Sequence, residues 1–224
     1  MSIEEWPVFE RPREKLLRFG PQMLTDAELL AIFLRCGVQG SSAVDMARGL
    51  LKNFGSLSCL IKAPYQEVVA YPGVGKAKYA QLMASRELVC RTLVEEMQLG
   101  DVLDNPQSVR DYLRLMIGYR DVEIVMVLFL STQNTVLAAE QLFRGTLTEA
   151  RVYPREIARL ALQYNASGVI IAHNHPSGAA VPSDADIRLT GILKNALNLV
   201  DILLLDHFIV TQHQCVSLAE AGCL

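Results

Sequence analysis

The sequence predicts an all-α domain over residues 1–100, followed by an α/β or α+β domain over residues 101–224. Three observations carry that division. Apolar residues recur at helical spacing from Arg11 to about Glu96, the stretch QLGDVLDNPQ at 97–106 is polar with Gly100 and Pro106, and beyond it strand-like and helix-like segments alternate.

In chain order, LTDAELLAIFL, AVDMARGLLKNF and KYAQLMASRELVCRTLVEEM each place apolar residues on one helical face. Thr25 with Glu28 forms a T-x-x-E capping box at the start of the first, and Phe54-Gly55 closes the second at a glycine. After residue 106 the order is a strand in EIVMVLFLST from Glu123, a polar turn TQNT, and a second strand from Val136. Pro154 then opens the helix PREIARLALQYN, because proline suits the first helical position. GVIIAH reads as a buried strand, residues 184–197 as a helix, and ILLLDHFIV and CVSL as late strands.

The chain is 51% hydrophobic, enough to bury one or two cores. It has no apolar run of membrane-spanning length and no signal-peptide pattern at its N-terminus, so a cytoplasmic protein with no membrane partner is expected. Five scattered cysteines without a C-x-x-C pair exclude a disulfide framework or a cysteine-rich zinc site and fit a reducing compartment. Net charge is −3, divided as +1 over residues 1–100 (12 basic, 11 acidic) and −4 over 101–224 (9 basic, 13 acidic). Neither half is basic enough to hold nucleic acid by bulk charge, so any DNA contact must be local.

The chemistry concentrates in AHNHPSGAAVPSDAD, residues 172–186. His173 and His175 lie at a strand end, where residues i and i+2 point to the same side, so both imidazoles can reach one ion. Asp186 follows one turn into a helix, and a loop shaped by Pro176, Gly178 and Pro182 can return its carboxylate to the same point. Two imidazole nitrogens and one carboxylate suit Zn2+, with a fourth position left for water as in catalytic sites. Ser183-x-x-Asp186 is equally a helix cap, and only the His-x-His upstream turns it toward a site. The H-x-H-x-D-H pattern of metallo-β-lactamases fails at Ser177 and Gly178. Zinc nucleoside deaminase and amidohydrolase-barrel patterns are not met either.

The spacing His173-x-His175-x(7)-Ser183-x-x-Asp186 resembles the JAMM motif of MPN or JAB domain metallopeptidases. RPREKLLRFG, LTDAELLAIFLR, LFRGTL, YPREI, AHNHPSG and LLDHFIV are similar to blocks of one bacterial branch, the RadC family or UPF0758. That resemblance implies a JAB/MPN-like C-terminal domain with a mixed sheet and flanking helices. It also implies a zinc-dependent hydrolase acting on a peptide or isopeptide bond of a peptide or protein substrate. His173, His175 and Asp186 would hold the metal, Glu123 would act as general base, and Ser183 would donate to the oxyanion. Glu156 competes with Glu123, but a strand head can sit beside the histidine strand, whereas Glu156 suits its own helix start. Two positions depart from the family pattern: Tyr153 stands where histidine is frequent, and Ser131 where aspartate is. His207 reads more readily as a hydrogen-bonded structural residue than as part of the site, and His213 as a solvated turn residue.

YPGVGKAKYAQLM resembles a helix-hairpin-helix within residues 65–86, which makes Gly73, Gly75, Lys76 and Lys78 candidate contacts to a DNA phosphate. The plainer reading is a tight turn between helices. The alternative function is therefore a DNA-associated repair or recombination protein whose metal site processes nucleic acid or is structural. The sequence leaves the oligomeric state open.

Overall fold

The computed structural model describes residues 3–144 and 153–224, so Gly145, Thr146 and Leu147 of the LFRGTL block lie outside the described residues. Contacts divide the chain into two compact units, Met1–Leu88 and Val89–Leu224. The division falls inside a helix, ahead of the polar stretch at 97–106 where the sequence changes texture.

The first unit is helical: α1 (Pro12–Phe19), α2 (Asp26–Leu34), α3 (Ala43–Phe54), α4 (Leu57–Lys62), α5 (Tyr65–Ala70) and the start of α6 (Lys76–Leu99), with short 3-10 turns before α1 and α2. The capping box read from the sequence is present at α2. Glu28 N–H donates to Thr25 Oγ1 at 3.3 Å, and Thr25 N–H donates to Glu28 Oε2 at 2.8 Å. A second box, Ser42 with Asp45, starts α3, and Gly55 ends it with a left-handed φ of 85°. The apolar stripes of α2 and α3 meet in a core that includes Leu30, Leu34, Val44, Leu50, Leu60 and Val68.

The second unit contains the end of α6, α7 (Pro106–Ile117) and the mixed sheet. Its strands are β1 (Ile124–Leu130), β2 (Val136–Arg144), β3 (Gly168–Asn174), β4 (Leu203–Val210) and β5 (Cys215–Ser217), with α8 (Pro154–Gln163) and α9 (Asp184–Asn198) between them. The sheet order is β2-β1-β3-β4-β5, antiparallel at every pairing except the parallel β3–β4, whose crossover carries α9. Every residue of β1 and β3 is buried, which explains why these strands read as unbroken apolar runs.

The period of two divides β1 between two cores. Ile124, Met126, Leu128 and Leu130 pack with Val109, Leu113 and Ile117 of α7. Val125, Val127 and Phe129 pack with Ile157 and Ala161 of α8 and Leu193 and Leu197 of α9. The sheet is therefore covered by helices on both faces, and the α8/α9 face carries the histidines. The helix α7 is not among the elements anticipated from the sequence, although Pro106 at its first position and the spacing Val109, Tyr112, Leu113, Met116, Ile117 follow helical rules.

Candidate metal centre

Strand register brings the chemistry together. Val125 of β1 pairs with His173 of β3, and continuing that antiparallel register by two residues sets Glu123 across from His175. On the other side His173 pairs with Ile209 of β4, which puts His207, two residues away, on the same face. The start of α9 closes the group from above, because Ser183 caps the helix and Asp186 is its third residue.

The donor atoms of His173, His175 and Asp186 all lie within 4.8 Å of one another. His173 Nε2 is 2.9 Å from His175 Nε2 and 3.1 Å from Asp186 Oδ1, and His175 Nε2 is 3.5 Å from Asp186 Oδ2. A tetrahedral ion with bonds of about 2.0–2.1 Å separates its donor atoms by about 3.3 Å, so these spacings fit such an ion. His175 Nδ1–H donates to the Ala179 carbonyl at 2.8 Å, which leaves its Nε2 lone pair directed at the group. His173 is bound at Nδ1 to His207 Nε2, 2.8 Å away, and likewise turns Nε2 inward. A cavity of about 20 Å³, enough for a single ion or water, is bounded by Glu123, Val125, Ile171, His173, Asp186, Leu189 and His207.

The electrostatics follow the contacts. Burial opposes ionisation of Asp186, but the adjoining His173 and His175 imidazoles and the N–H and hydroxyl of Ser183 outweigh it and hold the carboxyl well below the usual carboxylate range. The Asp186 carboxylate raises the His175 imidazole against a smaller opposing effect of burial. Burial lowers His207 to about 3, helped by the neighbouring His173, so His207 is neutral at physiological pH.

Glu123, just before β1, lines the cavity. Glu156 is not among the residues bounding it and instead pairs with Arg155 and Arg159 at the start of α8. Ser183 holds Asp186 from both sides: its N–H and its hydroxyl each donate to Oδ2 at 2.7 Å, and its Oγ accepts the Asp186 N–H at 3.2 Å. The single hydroxyl proton therefore points at the carboxylate in this geometry. His207 is 1% exposed and contacts His173 directly, so it is part of the site's inner support, a closer involvement than the sequence suggested. His213 is exposed in a turn.

Neither departure from the family pattern falls on the donor group. Ser131 follows β1 at the opposite end from Glu123, about 26 Å away at about 3.3 Å per residue, and shares a hydrogen bond with Thr135 in the β1–β2 turn. Tyr153 is the residue before α8, with the Arg155 guanidinium over its ring at 4.9 Å.

Asn174, between the two histidines, went unremarked in the sequence. Its side chain is 1% exposed, accepts the Ile124 N–H at 2.7 Å, and donates to the Val122 and Arg120 carbonyls, each at 3.1 Å. It therefore grips the backbone on both sides of Glu123. The signal available was the burial expected of a strand-end polar residue, but nothing in the sequence names its partners.

In the first unit, the Gly-Val-Gly turn joins α5 to α6. Gly73 has φ of 84°, and a Cβ there would lie 2.3 Å from Val38 Cγ1, so the left-handed backbone and the close side chain together account for a glycine without any ligand. Lys78 Nζ donates to the Cys36 and Gly73 carbonyls at 2.8 and 2.9 Å, which commits that ammonium to the turn. Lys76 is exposed, and a Cβ on Gly75 would meet nothing.

Comparison with known proteins follows the same division. Residues 103–223 match the family model described as a RadC-like JAB domain, and residues 3–80 match the UPF0758 N-terminal model. The chain is similar to a UPF0758 protein of Chromobacterium violaceum, 60% identical over 224 residues and covering 100% of both chains. It is 57% identical to one of Aromatoleum aromaticum, again over 100% of each, and 54% identical to one of Thiobacillus denitrificans over 99% of each.

Proposed function

Because the chain belongs to the UPF0758 family and carries a RadC-like JAB domain over residues 103–223, we propose that it is a zinc-dependent hydrolase of the JAMM type that cleaves a peptide or isopeptide bond. The observation that carries this reading is the convergence of the His173 and His175 Nε2 atoms and the Asp186 carboxylate, spaced 2.9–3.5 Å, beside a cavity that Glu123 also lines.

When bound by His173, His175 and Asp186, zinc supplies a Lewis acid that polarises a carbonyl and lowers the pKa of water toward about 7. The Glu123 carboxylate takes the proton of the attacking water and returns it to the leaving amine, the general acid–base role that its place at the strand head permits. Asn174 fixes the backbone that presents Glu123. Ser183 orients Asp186 in the resting arrangement, and rotation of its hydroxyl away from Oδ2 would let it donate to the oxyanion of the tetrahedral intermediate. The buried β3 and the capped start of α9 hold the ligands, and the buried β1 follows directly on Glu123, so positioning costs little reorganisation during reaction.

The test is metal content and hydrolysis in parallel. Wild type reconstituted with zinc should hold about one ion per chain, His173→Ala and Asp186→Ala should lose it, and Glu123→Gln should keep it while losing activity on peptide or isopeptide substrates. Wild type that binds no metal after reconstitution overturns the reading. Nicked and single-stranded DNA belong in the same assay, and cleavage of DNA alone would favour the nucleic-acid alternative.

A further inference from the structure

Below the candidate metal-binding face runs a chain of hydrogen bonds that begins on one candidate ligand, Asp186, and ends on another, His173. The Asp186 carbonyl accepts the Thr190 hydroxyl at 2.6 Å, and the same hydroxyl oxygen lies 2.6 Å from His207 Nδ1. His207 Nε2 lies 2.8 Å from His173 Nδ1, and on the far side of that ring His173 Nε2 faces the Asp186 carboxylate at 3.1 Å, a spacing suited to two ligands of one ion. Thr190 and His207 are each 1% exposed, so water offers them no substitute partner.

Two proton arrangements fit the pair of imidazoles taken alone. Either His173 donates from Nδ1 to a bare His207 Nε2, or His207 donates from Nε2 to a bare His173 Nδ1. In the second case the neutral His173 carries its proton on Nε2, where a metal would bind, and cannot act as a ligand. Thr190 decides between them. A backbone carbonyl can only accept, so the single Thr190 proton goes to Asp186 O, and its oxygen must then accept from His207 Nδ1–H. A neutral imidazole has one N–H, which leaves His207 Nε2 bare and His173 protonated at Nδ1.

We propose that Thr190 and His207 are positioning residues that lock His173 in the tautomer whose Nε2 lone pair faces the metal, with the Asp186 carbonyl as the fixed reference of the relay. This rests on the metal-site reading above. Neither residue belongs to the donor group itself, and the arrangement ties together ligands that come from β3 and from α9. Outer partners of this kind typically set metal affinity by about 10–100-fold.

The test uses the full-length chain and two readouts. Imidazole nitrogen NMR on the metal-free protein, about two pH units above the ordinary histidine pKa of about 6.5, reports which nitrogen carries the proton. Wild type should show His173 and His207 both protonated at Nδ1. Thr190→Val keeps the shape and removes the acceptor, so His207 should shift its proton to Nε2 and His173 likewise. Zinc affinity, measured by competition with a chromophoric chelator, should fall by about 10–100-fold in Thr190→Val and stay at the wild-type value in Thr190→Ser, which retains the hydroxyl. His173 protonated at Nε2 in wild type overturns the proposal, as does Thr190→Val with unchanged tautomers and affinity. Wild type with the expected tautomers but no zinc binding overturns the metal reading while leaving the relay intact.

Discussion

Asn174 acts across the sheet, on a strand that lies fifty positions earlier in the chain. Its carboxamide satisfies one buried donor and two acceptors around Glu123, and all three lose a partner in Asn174→Ala. An orphaned buried N–H alone costs about 1–3 kcal/mol, so the variant should unfold at correspondingly lower denaturant while still binding metal. Any hydrolysis measured for wild type should fall with it, because Glu123 loses its fixed backbone, and stability unchanged within error would refute the role. Thiol chemistry offers a second check. Burial pushes the Cys215 thiol up to about 12, whereas Cys36 is exposed. Brief treatment of the native protein with a thiol reagent should therefore label Cys36 and spare Cys215, as peptide mass mapping would read directly. The convergence of His173, His175 and Asp186 was legible at this scale because its geometry is local: i and i+2 at a strand end, and the third position of a capped helix. Asn174, Thr190 and His207 were not, since their roles depend on partners that only strand register supplies.

Capping boxes do two different jobs in this chain. At α9 the Ser183–Asp186 box starts the helix and also turns the Asp186 carboxylate toward His173 and His175, so a cap and a candidate metal donor are compatible in one geometry. At α2 the box is purely structural, and Lys15 adds an ion pair to Glu28 at 2.9 Å. Burial of Glu28 opposes ionisation, but the Thr25 backbone and the Lys15 ammonium prevail and lower its pKa. A carboxylate with a depressed folded pKa contributes its stability in full above its unfolded pKa of about 4.3 and loses it as pH falls toward the folded value. Glu28→Gln should therefore cost roughly 1 kcal/mol near neutral pH, with the gap to wild type closing below about pH 4, as chemical denaturation at several pH values would measure. A gap independent of pH would mean that shape and hydrogen bonding carry the effect and charge does not. Strands and most helices were legible because burial on both faces writes β1 and β3 as apolar runs and because Thr25, Gly55 and Pro154 punctuate the helices. The pairing order was not, since nothing local in GVIIAHN says that it lies between β1 and β4.

Each compact unit has a core of its own, and every atom of the candidate metal site belongs to residues of Val89–Leu224. Polarity along the chain changes at 97–106, whereas the contacts divide at Leu88, because the last turns of α6, which ends at Leu99, deliver Met97 to the second core. No helix among the described residues is long and apolar enough to cross a membrane. A ligand that binds only the folded state stabilises whatever must be folded to bind it, by about 2.7 kcal/mol at a hundred times its dissociation constant. The required elements are β1, β3, β4 and the start of α9. Hydrogen exchange of the full chain should therefore slow on adding zinc in those segments and not in α2 or α3, whose buried residues belong to the core of the first unit. His173→Ala should abolish the difference, and Thr190→Val should reduce it at zinc concentrations near the wild-type dissociation constant. Uniform slowing across both units would instead mean that α6 transmits the stabilisation through the whole chain, and the two units would then unfold as one.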